Sequence, residues 1–182
     1  MNDSGRNRDR YYVLGQLVEA VHLLVNAPKV SLLLPEIRSN LVMALDGAQG
    51  IEEIAGIPGR LTHVFGKITA PAYPAWGASF YTAAILLEIL KIDTSRRAAM
   101  EIKYTPAIVA IMRKNDISIE HLEIEENLSL EIILKECLRN GVLPQALYTE
   151  GGFAREGAII LSGNNAVEVA GTAVHIAELL HP

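Results

Sequence analysis

The sequence predicts an α/β domain, a sheet with helices on its faces. Three observations lead there. Short apolar runs bounded by glycine or proline alternate along the chain with longer segments whose apolar residues recur every three or four positions. Half of the 182 residues are apolar, which is ample for a large core. Charged residues make up only 20%, below the usual ~25%, and the formal charge is −5, so neither disorder nor bulk attraction to nucleic acid is favoured.

The elements follow in order. Residues 1–10 are polar and read as a flexible leader or linker remnant, with the domain itself spanning 11–182. From Tyr11, apolar Leu14, Leu17, Val18, Val21, Leu24 and Val25 form a helical stripe that Asn26 and Pro28 end. Ser39 to Leu45 is short, apolar and bounded by Pro35 and Gly47, the pattern of a buried strand. Gly47 to Gly59 is rich in glycine and reads as a loop with at most one helical turn. Arg60 to Thr69 reads as a second strand with a bulge at Gly66. After the Pro71–Pro74 loop, Ser79 stands as N-cap of a helix reaching about Lys91.

Thr94 to Ala98 suggests a turn of helix, and Met100 to Tyr104 a strand. Thr105-Pro106 has the pairing of N-cap and first helical residue. Ile117 to Ile124 alternates and then slips phase, as a bulged edge strand would. A helix from Ser129 to Asn140, short strands at Ala146–Tyr148 and Ala158–Leu161, and a final helix from Asn165 to Leu180 complete the chain.

Several chemistries are disfavoured. The apolar stretches Val30–Leu34 and Ala83–Leu87 fall far short of the ~18 residues a membrane span needs, and no signal peptide precedes them. Lone Cys137 rules out an internal disulfide and fits a reduced, cytoplasmic setting. The five histidines have no metal-ligand spacing, so no metal site is expected. Ser79 lacks the second glycine of a nucleophile elbow.

Anion binding is better supported. Gly56-Ile57-Pro58-Gly59-Arg60 sets an arginine on a rigid turn, and Gly77-Ala78-Ser79 opens a helix whose first N–H groups lack carbonyl partners. Gly151-Gly152, followed by Arg155, is a third glycine loop. Arg96, Arg97 and Lys103 make a small basic cluster. Arginine suits phosphate because its planar fork bonds two oxygens at once.

In this order and spacing the motifs are more specific than singly. Ser39-Asn40-Leu41-Val42-Met43-Ala44-Leu45-Asp46-Gly47-Ala48, Ala55-Gly56-Ile57-Pro58-Gly59-Arg60, Gly77-Ala78-Ser79, Arg97-Ala98-Ala99-Met100-Glu101-Ile102-Lys103-Tyr104 and Gly151-Gly152-Phe153 together resemble the archaeal ThiN-type thiamine-phosphate synthase domain, over roughly Tyr11 to Leu180. The resemblance implies a three-layer α/β/α sandwich with a central mixed sheet, similar to class II aldolases of the AraD type. It also implies enzymes that join a pyrimidine diphosphate to a thiazole phosphate, releasing pyrophosphate and forming thiamine phosphate. Such enzymes use an arginine matching Arg60 and a histidine twenty-one residues on, where this chain has Tyr81. Further departures are Glu101, where the family favours asparagine, and Thr149-Glu150, where it favours Asp-Arg.

Those departures resemble the branch of the family that senses ligand within transcriptional regulators. The expectation is therefore a thiamine phosphate-binding domain without synthase activity; the alternative is a working synthase. On this reading Arg60 and the N–H groups of Gly77, Ala78 and Ser79 hold the phosphate. Asn40 bonds a polar edge of the ligand, Arg97 and Lys103 add charge, Gly151 and Gly152 form the late loop, and Tyr81 lines the pocket. No cofactor is expected, with magnesium only in a synthase. A homodimer is expected, using an apolar helix face within Tyr11–Val25. DNA contact is expected only through a helix-turn-helix domain that this sequence does not contain, and no membrane contact is expected.

Overall fold

The computed structural model describes residues 3–123, 134, 137–138, 141–152 and 156–180. Four helices are described: α1 (Asp3–Val25), α2 (Tyr81–Ile92), α3 (Pro106–Lys114) and α4 (Ala166–Leu179). The strands are β1 (Leu41–Ala44), β2 (Ile54–Gly56), β3 (Thr62–Val64), β4 (Lys67–Thr69), β5 (Ala75–Trp76), β6 (Ala98–Lys103), β7 (Ile119–His121), β8 (Ala146–Thr149) and β9 (Ala158–Gly163). Short 3₁₀ segments occupy Pro28–Leu33 and Ile51–Glu53.

Seven strands form one open sheet in the order β5-β2-β1-β6-β9-β8-β7. Every pairing is antiparallel except that of β7 with β8, so the sheet is mixed. Helices cover both sides. Helices α1 and α4 pack on each other, α4 lies against β6 and β9, and α2 lies against β1 and β6. The α/β fold with a mixed sheet is as expected from the sequence.

The central strands β1 and β6 are buried along almost their whole length, with Leu41, Val42, Met43, Ala44, Ala99, Met100 and Ile102 fully shielded. That explains why β1 reads as a continuous apolar run and not as an alternation. Two helix starts follow their sequence signals. Thr105 Oγ1 accepts from Ile108 N at 3.1 Å, and Asn165 Oδ1 accepts from Glu168 N at 2.9 Å. Such caps are worth about 1 kcal/mol each.

Several local expectations are corrected. The leader is not separate from the domain: α1 begins at Asp3, and Asp9 is tied to the ends of the central strands by Arg97 and by the Asp46 amide. Arg6 also pairs with Glu53, and the Arg10 guanidinium lies 4.3 Å from the Trp76 ring centre. The buried stripe of α1 is Val13, Leu17, Ala20 and Leu24, while Val18 and Val25 face out with Tyr11 and Tyr12. Residues 60–69 form a hairpin and not one strand. Phe65 and Gly66 both take positive φ, 50° and 76°, as a tight two-residue turn between β3 and β4 requires. Strands β2 and β5 stand where the sequence predicts loop, since each is only two or three residues long. The segment 94–97 is a turn leading directly into β6. The helix expected at 129–140 lies largely outside the described residues. No helix among the described residues is long and apolar enough to cross a membrane.

Candidate functional site

The Gly56–Arg60 turn is built by its own residues and then fastened from outside. Pro58 stands at the second and Gly59 at the third position of a turn closed by Arg60 N donating to Ile57 O at 3.1 Å. Gly59 has φ 78°, which a type II turn demands at that place and which a side chain would resist. Arg60 follows with φ 67°, so the chain reverses hand twice and leaves the arginine at the apex.

The fastening comes from Ser39 and Asn40. Asn40 Nδ2 donates to Ile57 O at 3.1 Å, and Ile57 N donates to Asn40 Oδ1 at 2.9 Å. Ser39 and Leu61 exchange backbone bonds at 2.7 and 3.2 Å. Asn40, 3% exposed, is thus a buried clamp on the turn. Asn40 also lines the cavity, and its amide has a second N–H and a second oxygen lone pair beyond the two bonds to Ile57. Arg60 itself donates one bond, from Nη1 to Ile37 O at 2.9 Å, and is otherwise exposed toward the cavity beside it.

That cavity encloses about 510 Å³ and lies on the α2 side of the sheet. Arg60 and Asn40 line it together with Ala78, Ser79, Phe80, Tyr81 and Thr82 from the start of α2. Strand register brings in its floor. Asn40 lies opposite Glu101 in the β1–β6 register, while Thr149 pairs with Ala158 and so faces the same side. Pro35, Ile37, Glu156, Gly157 and Ala158 complete the wall. A Cβ on Gly157 would sit 2.8 Å from both Glu150 O and a Tyr104 ring carbon, so its backbone packs where no side chain fits.

The N-cap of α2 is Phe80, not Ser79, and its side chain makes no capping hydrogen bond. The N-cap Phe80 and the first two helical residues, Tyr81 and Thr82, line the cavity. The positive end of the helix therefore faces the same space as the Arg60 guanidinium, an arrangement suited to a phosphate.

Glu101 is the chemically unusual group on the floor. It is 7% exposed, and its Oε2 accepts from Thr82 Oγ1 at a long 3.5 Å. Burial pushes its carboxyl above the ordinary glutamate range, while the Arg60 charge and the Thr82 hydroxyl pull it part of the way back. Glu156 Oε1 accepts from Glu36 N at 3.3 Å, and its buried Oε2 has no hydrogen-bond partner among the described residues.

Of the residues expected from sequence, Asn40, Arg60, Ala78, Ser79 and Tyr81 line this cavity; Gly77, Arg97, Lys103, Gly151 and Gly152 do not. Arg97 lies elsewhere. Its Nη2 donates to both carboxylate oxygens of Asp9 at 2.8 and 2.9 Å, and Nε and Nη2 both donate to Ala44 O. Arg96 is likewise spent on Leu143 O, Pro144 O and Ser162 O. The supposed basic cluster is thus a pair of internal ties. Lys103 points to the cavity side of the sheet, two residues beyond Glu101, but outside the lining. Gly77 donates to Ile54 O at 2.9 Å and turns the chain from β5 toward α2. Gly151 N donates to Thr149 Oγ1 at 3.3 Å, which places its loop next to the wall. Phe153 and Arg155 lie outside the described residues. Among those residues no cluster of three or more histidine, cysteine or carboxylate side chains could hold a metal ion.

Sequence reasoning did not select Thr82, Glu101, Thr149, Glu156 and Gly157 as site residues, nor the lining residues Pro35, Ile37, Phe80 and Ala158. A lone glycine just before a strand was the one signal available for Gly157.

Comparison with known proteins adds the family. Residues 16–175 match the family described as "Thiamine-phosphate synthase ThiN". A "Thiamine-phosphate synthase ThiN" of Methanothermobacter thermautotrophicus is 30% identical over 167 residues, covering 86% of this chain and 88% of that protein. A "Bifunctional thiamine biosynthesis protein ThiDN" of Methanocaldococcus jannaschii is 29% identical over 142 residues, covering 75% of this chain but only 34% of that longer protein. Among solved structures, the C-terminal domain of protein MJ0236 superposes with a TM-score of 0.82 at 26% identity, covering 92% of this chain and 94% of that domain. The C-terminal domain of a phosphomethylpyrimidine kinase shares the fold with a TM-score of 0.82 at 20% identity, covering 92% of this chain and 99% of that one. With a match over most of its length and a relative at 30% identity spanning nearly the whole of both chains, this chain belongs to the ThiN thiamine-phosphate synthase family.

Proposed function

We propose that this chain is a thiamine-phosphate synthase domain, joining a pyrimidine diphosphate to a thiazole phosphate within the cavity beside Arg60. The observation that carries the reading is the convergence of the Arg60 guanidinium and the uncapped start of α2 on one 510 Å³ cavity. In the reaction, the thiazole nitrogen forms a bond to the pyrimidine methylene carbon as the carbon–oxygen bond to diphosphate breaks. The electron pair leaves with pyrophosphate, and the thiazole ring becomes cationic. Little proton transfer is required, so stabilising the departing negative charge is the main task. Arg60 and the α2 N–H groups answer that need. A relative of matching span that carries the synthase name supports the same reading.

Tyr81 favours a second reading. It lines the cavity, about half exposed, at the position where the family resemblance places a histidine. The second reading is a domain that binds thiamine phosphate without making it, coupled as a dimer to a DNA-binding domain in a regulator of thiamine metabolism.

A coupled assay with both phosphorylated precursors separates them. Formation of thiamine phosphate by the wild type, lost in Arg60→Ala, is the result expected for a synthase. Binding of thiamine phosphate with no turnover would support the sensor instead.

A further inference from the structure

Two carboxyl side chains share the cavity with its anion-binding groups, and Glu101 lies near enough to Arg60 to feel its charge. Glu101 rises from β6 at the floor, and Glu156 stands on the wall that precedes β9. Neither carboxyl is well satisfied. Glu101 has one long bond, to Thr82, and Glu156 Oε2 is buried with no partner among the described residues. Holding a carboxylate away from water on one long bond is costly, so a purely structural role accounts poorly for Glu101. Arg60 shares the cavity but gives a hydrogen bond to Ile37 O.

We propose that Glu101, assisted by Glu156, determines ligand specificity by pairing with a positively charged heteroaromatic ring whose phosphate lies against Arg60. The inference rests on the synthase-family reading and narrows it: the cavity is built for a zwitterion and discriminates the cationic ring from the same ring uncharged. Two features of the geometry support this. The two poles belong to one space, since Arg60 and Glu101 both line it. The acidic pole is also the more buried, so a charge placed there interacts in a weaker dielectric than one at the exposed guanidinium. The titratable groups that line the same space are Arg60, Tyr81 and Glu156, with Lys103 two residues beyond on the same face of β6. Glu101 is the one of these at the floor. Its ionisation then governs affinity for the cation, and burial moves that ionisation upward in pH.

Calorimetric titration tests the idea with three probes: thiamine phosphate, thiazole phosphate as the neutral ring, and inorganic phosphate. Glu101→Gln is expected to weaken thiamine phosphate binding at least tenfold while changing the other two by less than twofold. Glu156→Gln should cost thiamine phosphate a smaller factor, about threefold. Glu101→Asp, which keeps the charge, should recover part of the loss. Wild-type affinity for thiamine phosphate should rise with pH as Glu101 ionises, and that slope should vanish in Glu101→Gln. An unchanged affinity in Glu101→Gln, or an equal loss for all three probes, would overturn the inference and leave the family reading intact. A folded wild type that neither binds nor produces thiamine phosphate would take down both.

Discussion

Two arginine-bearing turns look alike in the sequence and differ entirely in the fold. Arg60 follows Pro58-Gly59, and Arg97 follows Ser95-Arg96; each introduces a short strand. Arg60 commits one hydrogen bond to the protein and presents the rest of its guanidinium to a cavity. Arg97 uses its donors on Asp9 and Ala44 O, binding the first helix to the end of β1. The lesson is that an arginine's role is decided by the acceptors the fold brings to it. Arg97 meets a carboxylate eighty-eight positions away, whereas Arg60 meets only one carbonyl.

The comparison can be broken by substitution. The largest effect is expected for Arg60→Ala: affinity for thiamine phosphate, measured by calorimetry, should fall at least 100-fold, about 2.7 kcal/mol. Its stability should change by only about 1 kcal/mol, because a single bond to Ile37 O is lost. Arg97→Ala should do the reverse. Its side chain and that of Asp9 are 18% and 15% exposed, and removing one partner leaves the other dehydrated. A loss of about 2–3 kcal/mol is expected, lowering the thermal midpoint by roughly 5–10 °C, with ligand affinity changed by less than twofold. Comparable effects of both variants on affinity would erase the distinction.

Asn40→Ala sharpens the comparison further, because Asn40 holds the turn that carries Arg60. Loss of its two bonds to Ile57 should cost about 1–3 kcal/mol and weaken binding severalfold by freeing the turn. Thermal melts and titrations on the same variant would show both changes together.

The smallest expected effect is on the pH dependence of stability. The Glu101 carboxyl is raised in the folded state, so the folded protein holds its proton to higher pH than the unfolded chain does. That contribution is complete below the ordinary glutamate range and is lost as pH climbs through the raised folded value. Glu101→Gln should therefore match or exceed wild-type stability at neutral pH, and its urea-unfolding profile should decline less between acid and neutral pH. A steeper decline in the variant would mean that the carboxylate is stabilised and not strained.

What was legible in the sequence follows the same division between local and distant causes. The Pro58-Gly59 turn, the Thr105 cap, the last helix starting at Asn165 and a buried strand within 39–45 are set by neighbouring residues, and each is found in place. Ser79 was misplaced by one residue as N-cap because its hydroxyl does not bond the first turn, and helix boundaries are the least certain part of any local pattern. The polar start of the chain looked independent because its partners, Glu53, Trp76 and Arg97, are remote in sequence. Half of the cavity was hidden for the same reason. Glu101, Thr149 and Gly157 converge only once β6, β9 and β8 pair, and no motif spans that distance. The family resemblance bridged part of this gap by supplying order and spacing where local physics could not.

The most direct test of the central claim is hydrogen–deuterium exchange with and without saturating thiamine phosphate. The cavity account predicts slower exchange at 57–61, at 78–84 and around 149–158, with no change at 94–97. Protection confined to another surface, such as the apolar recess between α1 and residues 68–74, would contradict it.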